Sequence, residues 1–309
     1  MLTMLFTHPA CLEHDTGTGH PECSGRLRAV LAALEAEEFQ LLDRQDAPRA
    51  TVEQIGRAHS PAHIDRVLAA IPAKGHASID GDTVLSPGSA EAALRAAGAV
   101  VAAVDAVAGG QARTAFCAVR PPGHHAERDR AMGFCLFNNV VIGARHARAV
   151  HGLRRVAIVD FDVHHGNGTQ DIVQDDPDTL YCSTHQAPLF PGTGDAREKG
   201  EFDNCVNAPL PALAGSPEFR HAMTHRILPA VEAFGPDLLM VSAGFDAHTR
   251  DPLADLHLTD DDFAWATRKL CEVARTHCDG RVVSVLEGGY NLRALASACA
   301  VHVRELMCA

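Results

Sequence analysis

The sequence predicts a single α/β domain over residues 1–309, a parallel β-sheet covered by helices on both faces. Three observations carry this expectation. Strand and helix patterns alternate along the chain with no linker or low-complexity tract, as repeated βαβ units require. The strand-like runs, such as VAIV at 156–159 and DLLMV at 237–241, are short and apolar throughout, the mark of strands buried on both faces. At 309 residues with 46% hydrophobic content, the chain can bury a substantial core.

In order, residues 2–7 (LTMLFT) read as a first strand ended by His8-Pro9. A polar loop with His14, His20 and Glu22 leads to a helix over 25–38, whose Leu27, Val30, Leu31 and Leu34 recur at helical spacing. The loop histidines lack tight ligand spacing and are expected to be structural or solvent-facing. Residues 51–70 read as helical pieces, with Ser60 as N-cap and Pro61 as first helical residue. The glycine-punctuated stretch 75–88, with Asp80 and Asp82, is long enough to lie over a site. Ser89 opens an Ala/Val-rich helix, 90–108, stopped by Gly109-Gly110 and apolar nearly all round, so it should pack on a sheet. A strand at 114–119 runs into RPPGHHAERDRAMGF, and a helix over 138–151 precedes the strand at 156–159. A strand at 179–183 ends in Ser183, Thr184 and His185 and is followed by the turn residues of FPGTGD. Then come a helix over 217–234, the strand 237–241 with SAGFDAH, a helix over 260–277, the strand 281–286 with EGGYNL, and a closing helix.

Composition excludes several classes. No run is long enough to span a bilayer, and MLTMLFTHPACLEHD has neither a basic leader nor a sufficient apolar segment for a signal peptide, so a soluble cytoplasmic protein is expected. Ten cysteines are scattered without a CxxC pair, which suits reduced thiols and speaks against a zinc ribbon. A net charge of −12 argues against nucleic-acid binding through a general basic surface and favours a cationic partner, although acidity also serves solubility alone.

The chemistry gathers where strands end. Asp160, Asp162 and His164 follow the strand 156–159 at spacing two, so extended chain would send their side chains to one side. Taken alone this is either a metal site or a solvated acidic corner. His124 and His125 follow another strand; being neighbours in extended chain they are expected to face opposite ways, and a metal pair, a base with its partner and an incidental pair are all open. Asp246 and Tyr290 each follow a further strand. In a parallel sheet the carboxyl ends of the strands share one edge, so the fold would collect all of these in one crevice. Asp162, His164 and Asp246 would form a three-ligand site with open positions, as a catalytic zinc requires. His124 and His125 would be general base and acid, and Tyr290 would donate to the oxyanion formed at a carbonyl. Asp160 and Asn167 would hold the two histidines. These parts suit hydrolysis of an amide.

RPPGHHA, DFDVHHGNGTQ, FPGTGD, SAGFDAH and EGGYNL together resemble the zinc-dependent histone deacetylase family, with its acetylpolyamine amidohydrolase and acetoin-utilisation relatives. The chain looks closest to the class II branch. The resemblance runs from about His20 to the C-terminus and implies the arginase-deacetylase fold, with an eight-stranded parallel sheet sandwiched between helices. It implies hydrolysis of an N-acetyl amide to acetate and a free amine, with one catalytic Zn2+ per chain, or Fe2+ in its place. On the residues that match, Asp162, His164 and Asp246 are the metal ligands, His124 and His125 the paired histidines, and Tyr290 the tyrosine that polarises the carbonyl. Phe134 and Phe190, which burial statistics alone would assign to the core, resemble the walls of a substrate tunnel. Gly133 resembles the residue whose carbonyl meets the substrate amide, and Arg26 an arginine beneath the catalytic floor where acetate leaves. A structural K+ would use Asp160, Ser183 and backbone oxygens of Asp162, His164 and Thr184; a second would use Val173, Thr179 and Asp176.

Two departures bear on substrate. Asn167 stands where class I relatives have an aspartate, as in class II. Leu253 follows Asp-Pro where polyamine-specific relatives carry a glutamate, and a leucine offers no charge to a second ammonium, which favours N6-acetyl-lysine in peptides or proteins over acetylpolyamines. Asp82 is aligned as the acceptor for a substrate backbone. An amidohydrolase for small acetylated amines, a non-catalytic scaffold on the same fold and an arginase-like two-manganese hydrolase are the alternatives. The first departs at Leu253, the second at the intact site residues, the third at the missing carboxylates for a second metal.

Overall fold

The structure, a computed structural model, describes residues 2–309. Its framework is an eight-stranded, wholly parallel sheet with a two-stranded antiparallel ladder beside it. In chain order the strands are β1 (Thr3–Thr7), β2 (Asp43–Asp46), the ladder β3 (Ala77–Ser78) and β4 (Val84–Leu85), β5 (Thr114–Cys117), β6 (Val156–Asp160), β7 (Thr179–Gln186), β8 (Cys205–Leu210), β9 (Leu238–Ala243) and β10 (Val282–Leu286). The helices are α1 (Ser24–Ala33), α2 (Val52–Ile55), α3 (Pro61–Ala69), α4 (Ser89–Ala108), α5 (Asn139–His151), α6 (Asn167–Val173), α7 (Ser216–Ala222), α8 (Leu228–Phe234), α9 (Asp260–His277) and α10 (Leu292–Met307).

The sheet order is β2-β1-β5-β10-β9-β6-β7-β8. One group of helices, α4 with α5, packs over β1, β5, β6, β9 and β10, and another, α1 with α10 and α9, packs over β5 and β9. Alternation along β5 shows how the faces divide. Thr114 Oγ1 donates to the carbonyl of Leu306 and the Phe116 ring lies 5.7 Å from that of His302, so both face α10. Every residue of β5, β6, β7, β9 and β10 is buried, which is why β6, β9 and β10 read as mainly apolar runs without alternation.

Six strands of the sheet and the long helices lie where sequence patterns place them, with shifts of a few residues. Ser60 caps α3 by accepting from His63 N, and Pro61 is its first residue. The two unanticipated sheet strands are the two edges. β2 is DRQD, largely exposed and without an apolar alternation, and β8, CVNAPL, carries a proline; both are edge chemistry rather than core chemistry. α6 was also not expected after the glycines of HHGNG. The helix expected over 25–38 stops at Ala33, and the one expected over 217–234 is divided into α7, a π-helical turn over Met223–Ile227 and α8, with Pro229 at the start of the last piece.

Candidate active site

The four innermost strands, β5, β10, β9 and β6, are followed by His124 and His125, by Tyr290, by Asp246, and by Asp162 and His164 respectively. Their carboxyl ends share one edge of the sheet, and there Asp162, His164 and Asp246, all buried, bring one donor atom each to within 4.8 Å of the others. His164 Nδ1 lies 3.1 Å from Asp162 Oδ1 and 3.1 Å from Asp246 Oδ2. The backbone fixes both carboxylates: Gly288 N donates to Asp162 Oδ2 at 2.8 Å and Val163 N to Asp246 Oδ1 at 2.9 Å. Two glycines make room. A Cβ on Gly244 would collide with the Asp162 carboxylate, and one on Gly288 with those of both Asp246 and Asp162.

The donor set fits a divalent cation. Two carboxylates and an imidazole converge on one point with no cationic side chain from lysine or arginine among them. Burial and the charge of Asp162 push the Asp246 carboxyl up to about 7, as expected when two carboxylates crowd one buried point.

The two histidines depart from the sequence expectation. Their rings do not diverge; the centroids lie 4.0 Å apart at 45°, because the chain from Pro121 to His125 turns rather than extends. Alternation likewise ends at Asp160, the last residue of β6, so Asp160 does not join Asp162 and His164. Its Oδ2 accepts instead from His124 Nδ1 at 3.0 Å and from the Tyr181 hydroxyl at 3.2 Å. His125 Nδ1 lies 2.8 Å from Asn167 Oδ1. Burial opposes the charged form of His124, but the charges of Asp162 and Asp160 outweigh it and raise His124 well above the ordinary imidazole value. His125 is lowered well below that value by burial and by the charges of His124 and His164. Neighbouring imidazoles are thereby driven apart.

Over this floor opens a cavity of about 270 Å3 lined by Asp82, His125, Gly133, Phe134, His164, Leu189, Phe190, Leu253 and Tyr290. Phe190, which composition alone assigns to the core, is 42% exposed, with its ring 5.1 Å from that of His125. Phe134 adopts φ 67° directly after Gly133 at φ 55°, a left-handed pair that turns the chain against His125, whose Cδ2 a Cβ on Gly133 would meet at 2.5 Å. A larger open groove of about 730 Å3 beside Trp265 has no comparable convergence of donors.

Asp251, Glu287 and Glu22, to which sequence reasoning assigned no role, hold the site together with Arg26, which the resemblance set beneath the catalytic floor. Asp251 Oδ2 accepts from Tyr290 N at 2.7 Å, and Glu287 Oε2 accepts from Gly123 N at 2.7 Å and His124 N at 3.1 Å. Beneath Tyr290, fully buried Arg26 stacks its guanidinium 4.9 Å from the ring centroid and donates to Gly289 O and to Glu22 Oε1. Glu22 also takes Arg120, and these two cations outweigh burial to hold its carboxyl at about 2.

The monovalent-cation expectations fare differently. Register sets Asp160 beside Ser183, and the neighbouring Thr184 Oγ1 is buried without a hydrogen-bond partner. The second expected site is built otherwise: Asn204 Nδ2 donates to the carbonyls of Val173, Asp176 and Thr179 at 2.8, 3.0 and 3.0 Å. The Asp176 carboxylate is paired with Arg145 and Arg148. A side-chain amide thus stands where those oxygens converge, and an arginine pair has taken the carboxylate. Another grouping, Asp105 with His146 and His151, is an ion-pair network rather than a ligand set. Arg57 donates to His146 Nδ1, which leaves the proton of a neutral ring on Nε2, facing Asp105.

Comparison with known proteins identifies the family and the fold. Residues 20–306 match the family model described as histone deacetylase domain. The chain is 39% identical to histone deacetylase 14, chloroplastic, of Arabidopsis thaliana, over 98% of this chain and 76% of that protein. It is 41% identical to a histone deacetylase-like amidohydrolase of Pseudomonas aeruginosa, over 92% of this chain and 75% of that one. The crystal structure of the HDA15 HD domain superposes with a TM-score of 0.93 at 34% identity, covering 98% of this chain and 88% of that one.

Proposed function

Since the chain belongs to the histone deacetylase family, with its arginase-deacetylase fold, we propose that it is a zinc-dependent deacetylase of N6-acetyl-lysine side chains in peptides or proteins. One observation carries the reading: Asp162, His164 and Asp246 converge at the floor of a cavity with apolar walls, within reach of two histidines and a tyrosine. When bound by those three residues, a divalent cation supplies Lewis acidity, polarising a carbonyl and making water a nucleophile near neutral pH.

The chain's own groups supply the rest. Phe134 and Phe190 receive the aliphatic stem, with the Gly133 carbonyl and Asp82 as acceptors for substrate N–H groups. Between them His124 and His125 supply the general base and acid: His125, held neutral, takes a proton from the attacking water, and the pair returns one to the leaving amine. Asp160 and Asn167 hold the two rings from behind. The Tyr290 hydroxyl, kept neutral because burial and the Asp246 charge raise it well above the ordinary phenol value, donates to the oxyanion. A monovalent cation, one or two per chain, would be held beside Asp160 and Ser183, which register sets together, by backbone oxygens of Asp162, His164 and Thr184. No helix among the described residues is long and apolar enough to cross a membrane.

Leu253, 37% exposed at the cavity, brings no charge to a second ammonium, which supports acetyl-lysine over acetylpolyamines. Purified enzyme loaded with zinc is expected to turn over an acetyl-lysine peptide with higher kcat/KM than N-acetylputrescine. The reverse preference would overturn the substrate assignment. Tyr290→Phe should retain zinc while kcat falls by about 10²-fold or more, and unchanged turnover would remove the tyrosine from the reaction.

A further inference from the structure

Asn167 is an amide, and an amide can present either end to its neighbour. If its oxygen faces His125, Nδ1 of the imidazole must carry the proton and Nε2 is left as the lone pair; if its nitrogen faces His125, the tautomer reverses and the lone pair is lost from Nε2. An aspartate at this position would have no such choice. Something must therefore decide which way Asn167 points.

Glu127 sits where it can. Its Oε1 accepts from Asn167 Nδ2 at 2.7 Å, while Asn167 Oδ1 lies 2.8 Å from His125 Nδ1. A carboxylate only accepts, so it admits the NH2 end of the amide alone and repels the oxygen end. Glu127 is itself pinned: Arg130 Nε and Nη2 donate to Oε2 and Oε1 at 3.1 and 2.9 Å, and Glu127 N donates to the Arg130 carbonyl at 2.9 Å. The links run Arg130, Glu127, Asn167, His125, each with its donor and acceptor forced by the one before. We propose that Glu127 is a positioning residue that fixes the orientation of Asn167 and through it the Nδ1–H tautomer of His125. The negative charge that an aspartate would place against the ring is set one amide further out, so the ring is oriented without a carboxylate in direct contact.

The inference rests on the deacetylase reading only for its kinetic consequence; the tautomer can be read without substrate. In the zinc-loaded protein, long-range 1H–15N NMR of the imidazoles, with His125 assigned by its absence in a variant, should show the Nδ1–H form. Glu127→Ala should give a mixture of tautomers or the reverse one and lower kcat by about tenfold or more with KM little changed. Glu127→Gln, whose amide can offer Asn167 either an oxygen or an NH2, should fall between the parent and Glu127→Ala in both tautomer ratio and kcat.

Asn167→Asp supplies an independent arm. It sets two carboxylates at contact distance and should lower kcat by about tenfold, and the second change Glu127→Gln should restore most of that loss because an aspartate needs no orienting. Deacetylase activity failing altogether, with the tautomer shift in Glu127→Ala observed, would remove the functional reading and leave the positioning role standing. An unaltered Nδ1–H signal in Glu127→Ala, or no recovery in the Asn167→Asp, Glu127→Gln double variant, would overturn the proposal.

Discussion

Single residues at this site are chosen as much for what they leave out as for what they bring. Gly288 has no side chain, and its amide donates to Asp162 while the space of its missing Cβ is taken by the two carboxylates. Gly288→Ala is therefore expected to weaken zinc affinity by about 10–100-fold, the usual effect of disturbing the groups that orient metal ligands, with the far-UV circular dichroism unchanged. A competition titration with a zinc chelator checks it, and parental affinity would show that the carboxylates can shift at no cost. Legibility at this scale was uneven. Asp162, His164, Asp246, His124, His125 and Tyr290 announce themselves as polar groups just past buried strands. Glu22, Glu127, Asp251 and Glu287 do not, since an acidic residue in a polar loop has the same sequence signature whether it is solvated or holds a buried donor. Phe134 and Phe190 were legible only through resemblance, because an aromatic that lines a cavity and one that fills a core obey the same pattern.

Among the elements, α4 shows packing overruling propensity. In an exposed helix Gly→Ala gains about 1 kcal/mol, but a Cβ on Gly98 would collide with the carbonyl of Pro48 and come within 2.7 Å of Ala50 N. These are backbone atoms of the segment joining β2 to α2 and cannot turn aside as a flexible side chain can. Gly98→Ala is expected to destabilise the protein by about 2–3 kcal/mol, read as a lowered thermal midpoint; an increase would mean that this segment yields freely. The elements that sequence patterns missed have a common cause. Interior strands are apolar on both faces and read clearly, whereas β2 and β8 each have one neighbour only and their composition follows the demands of an edge. The ends of helices were displaced where the chain turned without glycine, as after Ala33.

For the molecule as a whole, buried histidines set the response to acid. His302 lies between β10 and α9, with Nε2 2.8 Å from Ser284 Oγ and Nδ1 2.6 Å from Thr267 Oγ1. The Thr267 hydroxyl already donates to Phe263 O, so it accepts from Nδ1–H and the ring is satisfied while neutral. Burial lowers His302 to about 3, and likewise His59 to about 3 and His14 to about 4. The unfolded chain binds these protons near 6.5 and the folded one does not, so their contribution to stability is complete above 6.5 and is lost as the pH falls toward 3 to 4. At pH 5 each such histidine costs about 2 kcal/mol. Urea unfolding followed from pH 7.5 to 5 should show stability declining below 6.5, and His302→Asn should shallow that decline by about 1.4 kcal/mol per pH unit. An identical slope in the variant would mean that His302 charges as freely folded as unfolded. The fold class and the gathering of the site at one edge were readable at this scale because strand alternation and parallel pairing dictate them, independently of any loop.

The placement of the site at the ends of the four innermost strands ties function to the part of the domain that opens last. Peripheral fraying of β2 or β8 exposes backbone without loosening any of the catalytic groups. Heat inactivation should then coincide with cooperative melting of the whole domain, and no partly melted species should persist that has kept its shape and lost its chemistry.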